Sequence, residues 1–183
     1  MRNITFCLLW IPFLLASLKA QVVINEYSAS NLESFTDAFG KTEDWIELYN
    51  TSSNDVDISG WHLSDKADKP GKWDIPQGTI IPGNGHLVFL CSGRNGFLYN
   101  EYHTNFKLTQ TKGTDIVLLS NDSEMVMDSF SLDLTLVEHS RCREVDGGMV
   151  WKVCTNPSFG TSNNGTPFTA THTLDPPRKK TSS

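Results

Sequence analysis

The sequence predicts an all-β chain, a sandwich or a barrel. Past Gln21, short apolar, β-branched and aromatic runs alternate with clusters of Gly, Pro, Asn, Asp and Ser about every ten residues. Apolar spacing of three and four residues, the mark of an amphipathic helix, is nearly absent. No internal repeat runs through the chain, which argues against stacked or radial repeat folds.

The first twenty residues stand apart. "MRNITFCLLWIPFLLASLKA" has a basic start at Arg2, an apolar stretch from Ile4 to Leu18 and a small Ala20 before Gln21. It reads as a secretory signal peptide over residues 1–20, cut after Ala20. Pro12 and the shortness of the run argue against a bilayer span, and no later segment is apolar enough to be one. Cys7 is a disposable apolar residue of that leader. The mature chain is then secreted or held at the cell surface, with no transmembrane segment. It is long enough for a single cored domain over 21–165, followed by a disordered tail over 166–183 rich in Thr, Ser and Pro.

In chain order, the predicted strands are "VVINEYSA", "DWIELYNT", "VDISGWHLSD", "GKWDIP", "HLVFLCS", "TDIVLLS", "MVMDSFSL" and the pair "HSRCREV" and "MVWKVC". Residues 29–43 and 92–104 read as long connections, the second with room for a short strand at its end. After Cys154 the segment 155–163 reads as a strapped-down exit loop. Within "DWIELYN", strand alternation sends Asp44, Ile46, Leu48 and Asn50 to one face and Trp45, Glu47 and Tyr49 to the other. Pairing with "INEYSA" makes Glu26 and Glu47 neighbours, a juxtaposition that needs a proton, a cation or hydrogen-bond donors to relieve repulsion.

Charge and cysteine narrow the function classes. Setting aside Arg2 and Lys19 leaves 13 basic residues against 21 acidic ones, so a phosphate-tracking surface and direct nucleic-acid binding are disfavoured. Three cysteines remain, Cys91, Cys142 and Cys154, an odd number in an exported chain. Cys142 and Cys154 flank two strands around an Asp146-Gly147-Gly148 turn and form the expected disulfide; Cys91, in a β-rich run, is a small buried residue.

The acids admit three readings. Glu26, Asp44 and Glu47 around a metal would make a hydrolase or nuclease, yet the chain lacks a His ladder, a Gly-rich phosphate loop and a Ser or Cys nucleophile in a recognisable turn. Asp37 and Asp44 are calcium candidates on a long loop, without the regular ligand ladder of a calcium hand. The third reading has the acids accepting hydrogen bonds from loop N–H groups, and the chain is expected to be no enzyme and to need no cofactor beyond that possible calcium.

"VINEYSASN", "DWIELYN", "VDISGWHLSD", "KWDIPQGTIIPGNGHLVFLCSG", "HTNFKL", "TDIVLLSND", "VMDSF" and "SRCREVDGGMVWK", in that order, resemble the lamin tail domain as it occurs in secreted bacterial proteins. The likeness runs from Val22 to Gly165. It implies an immunoglobulin-like β-sandwich and a non-catalytic module with no catalytic residues to carry over. It also implies a framework of Asn25, Glu26, Trp45, Glu47 and Asn50, with Gly60 bending a strand before Trp61. The leading expectation is a binding or adaptor module that contacts a protein or cell-surface glycan through its two long loops, with Phe97, Tyr99 and Tyr102 as contact residues and Phe35 and Phe39 as further aromatic candidates. The alternative is an accessory N-terminal domain of a longer secreted nuclease, phosphatase or spore-coat-type kinase. "NTS", "NDS" and "NGT" at Asn50, Asn121 and Asn164 are glycan acceptors only where export carries that machinery.

Overall fold

A computed structural model describes residues 20–110 and 116–164; the leader, read as 1–20, and the tail expected over 166–183 lie outside the described residues except for Ala20. The strands are β1 (Val22–Ser28), β2 (Trp45–Asn50), β3 (Val56–Asp57), β4 (His62–Ser64), β5 (Trp73–Asp74), β6 (Ile80–Ile81) and β7 (His86–Leu90). They continue with β8 (Gly96–Leu98), β9 (Glu101–His103), β10 (Ile116–Ser120), β11 (Val126–Ser131), β12 (Ser140–Arg143) and β13 (Trp151–Cys154). Among the described residues there is no helix, and so none long and apolar enough to cross a membrane.

A seven-stranded sheet ordered β13-β12-β1-β2-β7-β9-β8 packs against a four-stranded sheet ordered β11-β10-β4-β5, with β3 and β6 paired at the side. The architecture is an immunoglobulin-like β-sandwich. Pairing is antiparallel throughout except between β7 and β9, which run parallel. The core holds Ile24, Tyr27, Ile46, Leu48, Phe89, Leu63, Trp73, Val117 and Leu119. Ile46 and Leu48 thus face the second sheet, and strand alternation turns Trp45 and Glu47 to the opposite, outer face.

The bulge in β1 determines what that outer face carries. Ile24 pairs with Leu48 and Glu26 with Glu47, so Asn25 is the extra residue. Without the bulge, Glu26 would share the inward side of Ile24. With it, the amide of Asn25 and the carboxylate of Glu26 both serve the outer side, the re-aiming that a bulge provides.

Two stretches differ from the sequence reading. "VDISGWHLSD" is not one strand: β3 and β4 belong to different sheets, separated by a turn closed by Trp61 N–H on the Ile58 carbonyl at 3.1 Å. Gly60 does more than bend a strand, because it occupies the third turn position at φ 73°, where a side chain would be strained. The connection 92–104 holds a complete hairpin, β8 with β9, whose two turn residues Tyr99 and Asn100 both have positive φ, 50° and 67°. Cys142 and Cys154 are joined, Cα to Cα 6.0 Å, and Cys91 is a buried free thiol.

Candidate functional site

The polar centre of the molecule lies on the outer face of β1 and β2. Glu26 and Glu47, directly opposite one another, are fully buried beneath the segment 155–164. The hydroxyls of Ser140 and Ser158 donate to Glu26, and the Ser158 N–H reaches both of its oxygens at 3.2 Å. Gly160 N–H donates to Glu47 Oε2 at 2.6 Å, and Asn25 Nδ2 donates to Glu47 Oε1 at 2.9 Å. Asn25 also links outward, its Nδ2 lying 3.0 Å from Asp146 Oδ1 while its Oδ1 accepts from Gly147 N–H at 3.1 Å. Asn163 closes the ring, giving its N–H to Asp146 at 3.0 Å and its amide to the Asn25 carbonyl at 3.3 Å.

The charges divide by environment. Burial pushes Glu47 up to about 7, with Asn25 opposing the rise and the charge of Glu26 adding to it. Burial also raises Glu26, against the hydroxyls of Ser140 and Ser158. Burial acts on Asp146 in the same direction, but His86, Ser162, Asn25 and the Asn163 N–H together outweigh it and hold this carboxyl well below the usual range. His86 lies against Tyr49, ring centres 4.7 Å apart, and its Nε2 stands 3.4 Å from Asp146 Oδ1, an ion-pair distance without hydrogen-bond alignment.

Beside the acids runs an aromatic slot. Phe159 stacks on Phe35 at 4.2 Å and meets the buried Trp45 edge-on at 5.2 Å. Phe35, expected among the exposed aromatics, is thus half-buried under the segment 155–164. Of the expected framework, Asn25, Glu26 and Glu47 come together with Trp45 close by. Asn50 sits at the far end of β2, donating to the carbonyls of Asn54, Ile81 and Pro82 at 2.7–3.1 Å and fully buried. Gly60 and Trp61 lie with the second sheet, Trp61 packed against the core. Asp146, His86, Ser158 and Gly160 complete the cluster from distant parts of the sequence; the Asp146-Gly147-Gly148 turn and the strapped-down loop 155–163 were signalled, but not that they meet Glu26 and Glu47.

Asp37 and Asp44 have different partners. Asp37 Oδ1 accepts the N–H groups of Phe39 and Lys41 at 2.9 and 2.8 Å, and Oδ2 pairs with Arg94 at 2.7 Å. Asp44, on the opposite parity of β2 from Glu47, is pushed up to about 6 by burial, against an N–H bond from Asn31. Among the described residues no three His, Cys, Asp or Glu side chains gather closely enough to hold a metal ion.

The second feature is the union of the two long loops. Arg94 bridges Asp37 and Glu43, and lies 4.4 Å over the Phe39 ring. Glu101 accepts the Ala38 N–H at 3.0 Å, and Phe39 meets Tyr99 edge-on at 5.1 Å. The tip so fixed exposes Phe39, Phe97 and Tyr99, at 40, 48 and 76%. Tyr102 is not among them; it packs inward on Phe89 at 5.2 Å and carries Phe97 at 4.6 Å.

Among curated proteins, none matches the chain. A family model described as Lamin Tail Domain matches residues 16–133. That span covers β1 to β11, while β12, β13 and the segment 155–164 that covers Glu26 and Glu47 lie beyond it. By that match, over more than half its length, the chain belongs to the lamin tail domain family.

Proposed function

We propose that this lamin tail domain is a secreted or surface-held binding module, of the kind found in exported bacterial proteins, that contacts a protein or glycan partner through the tip formed by residues 29–43 and 92–104. The observation that supports the reading is Tyr99. It is the most exposed aromatic ring at the tip, and it sits in a left-handed turn position where Asn or Gly would be less costly. A large ring kept at a conformational cost, beside exposed Phe97 and Phe39, is the composition of a contact patch. Arg94 and Glu101 brace the patch from below, so little ordering cost remains to be met on binding.

The test uses protein from the native exported fraction, incubated with surface extracts and with a glycan array in parallel. Replacing Phe97 and Tyr99 together by Ser should abolish capture while leaving the melting temperature within a few degrees. Retained capture by a folded double variant would defeat the proposal. Capture on the array but not from protein extracts would identify the partner as a glycan.

A further inference from the structure

Residues 155–164 form a strap without an ionisable side chain. Its polar donors nevertheless converge on acids of the body beneath: Ser158 on Glu26 of β1, Gly160 on Glu47 of β2, and Ser162 and Asn163 on Asp146 of the turn between β12 and β13. Its one large apolar side chain, Phe159, fills the slot between Phe35 and Trp45, and does so with a φ of 37°, a left-handed conformation that is costly for an aromatic residue. The strap is therefore seated on a pair of facing carboxylates, with local strain at its one aromatic anchor.

We propose that residues 155–164 are a pH-gated clasp, docked on the Glu26–Glu47 pair in mildly acidic solution and released from the sheet as that pair takes up its second negative charge. Two carboxylates in direct register and shielded from water cannot both be anions without strong repulsion, whereas once uncovered they are solvated separately. The docked state therefore binds a proton that the released state gives up.

The charged and titratable groups around the pair are Glu26, Glu47 and Tyr49 on β1 and β2, His86 on β7, Asp146 in its turn, and the Glu144–Lys152 pair further along the same face. Docking raises Glu47 through burial, so its contribution to docking is full in acid and lost as pH rises to about 7, and burial raises Glu26 in the same sense. His86 acts in the same sense: burial alone would lower it, but Asp146, Glu47 and Glu26 raise it on balance. Asp146 acts in the opposite sense, yet its contribution is lost only in strong acid. Burial and Asp146 raise Tyr49 above an already alkaline value, out of the window. Release would uncover Trp45 and Phe35, and Phe35 belongs to the loop that carries Phe39. The clasp is independent of whether the loop tip binds a partner.

Amide hydrogen exchange of the full chain from pH 5.5 to 9, corrected for the intrinsic rate at each pH, tests the clasp directly. Protection of Ser158, Gly160 and Asn163 should fall by up to tenfold per pH unit as pH rises towards 7 and level off above it, the signature of one proton released on opening, while Leu118 and Leu119 of β10 stay unchanged. Strap protection that is flat with pH would overturn the proposal, as would a fall shared with β10, which would signal global unfolding. Glu47→Gln, which cannot ionise, should keep the strap protected at pH 9; a variant that folds and retains the wild-type fall also overturns it. If that variant does not fold, the wild-type pH series by itself still separates a released strap from a fixed one.

Discussion

Arg143 of β12 and Asp128 of β11 meet at 2.7 Å and so tie the seven-stranded sheet to the four-stranded one. The pair is anchored on the backbone of β1: Asp128 accepts the Ile24 N–H at 2.9 Å and Arg143 Nε donates to the Ile24 carbonyl at 2.7 Å. The guanidinium also lies 4.9 Å from the Trp151 ring centre. With both side chains largely shielded, removing one partner leaves the other charge uncompensated, a loss of about 3 kcal/mol. Arg143→Met should lower urea-unfolding stability by roughly that amount. Adding Asp128→Asn should cost less than the sum of the two single changes, by about 1–2 kcal/mol of coupling. Additive losses would show that the two sheets are joined by packing alone.

Asp146 gives a pH dependence of opposite sign to that of the glutamates. Its carboxyl is held below the ordinary range in the folded chain, so its contribution is present above the unfolded carboxylate value near 3.9 and lost as pH falls through the depressed one. Asp146→Asn should therefore be destabilised by about 2 kcal/mol at pH 7, the scale of charged hydrogen bonds lost. The gap to wild type should close as pH approaches 2. Proton NMR of His86 in the same variant should show its titration moving down, because its largest raising partner is gone. An unchanged His86 titration would mean that the 3.4 Å approach carries no interaction.

Much of the fold was legible because strand parity is a local property. "DWIELYN" declares its inward Ile46 and Leu48 by spacing alone, and its pairing with β1 follows from proximity in the chain. The bulge at Asn25 was not legible, since an extra residue in a ladder leaves no mark on composition; yet it decides that Asn25 and Glu26 serve the same face. The break at Gly60 was visible as a glycine, but only the positive φ shows that it ends a strand and transfers the chain to another sheet. The hairpin β8–β9 was hidden because its turn begins with Tyr99, a residue type that carries no turn signal. Ser140, Ser158 and Gly160, which serve Glu26 and Glu47, come from more than a hundred residues away, a distance over which pattern is silent.

The cysteines predict a simple stoichiometry. The Cys142–Cys154 bridge staples the hairpin of β12 and β13 at the point where the strap begins. Closing so short a loop is worth about 3 kcal/mol in the chain-entropy account. Reduction should lower the thermal midpoint by several degrees and free two thiols to alkylation. Cys91, buried and with burial raising its thiol well above the ordinary value, should stay unlabelled until the chain unfolds. Labelling of a third thiol in native reduced protein would show that the end of β7 opens locally.

Tyr99 separates stability from recognition. Its left-handed conformation costs about 1 kcal/mol relative to a residue suited to the turn, and its contact with Phe39 returns about 0.5–1.5 kcal/mol. These nearly cancel, so Tyr99→Asn should melt within about 4 °C of wild type. Partner capture, which depends on the exposed ring, should be lost in the same variant. If Tyr99→Asn instead unfolds at a much lower temperature, the ring is a structural clamp on Phe39. The contact patch would then have to be carried by Phe97 and Phe39, whose rings lie nearer the braced base of the two loops.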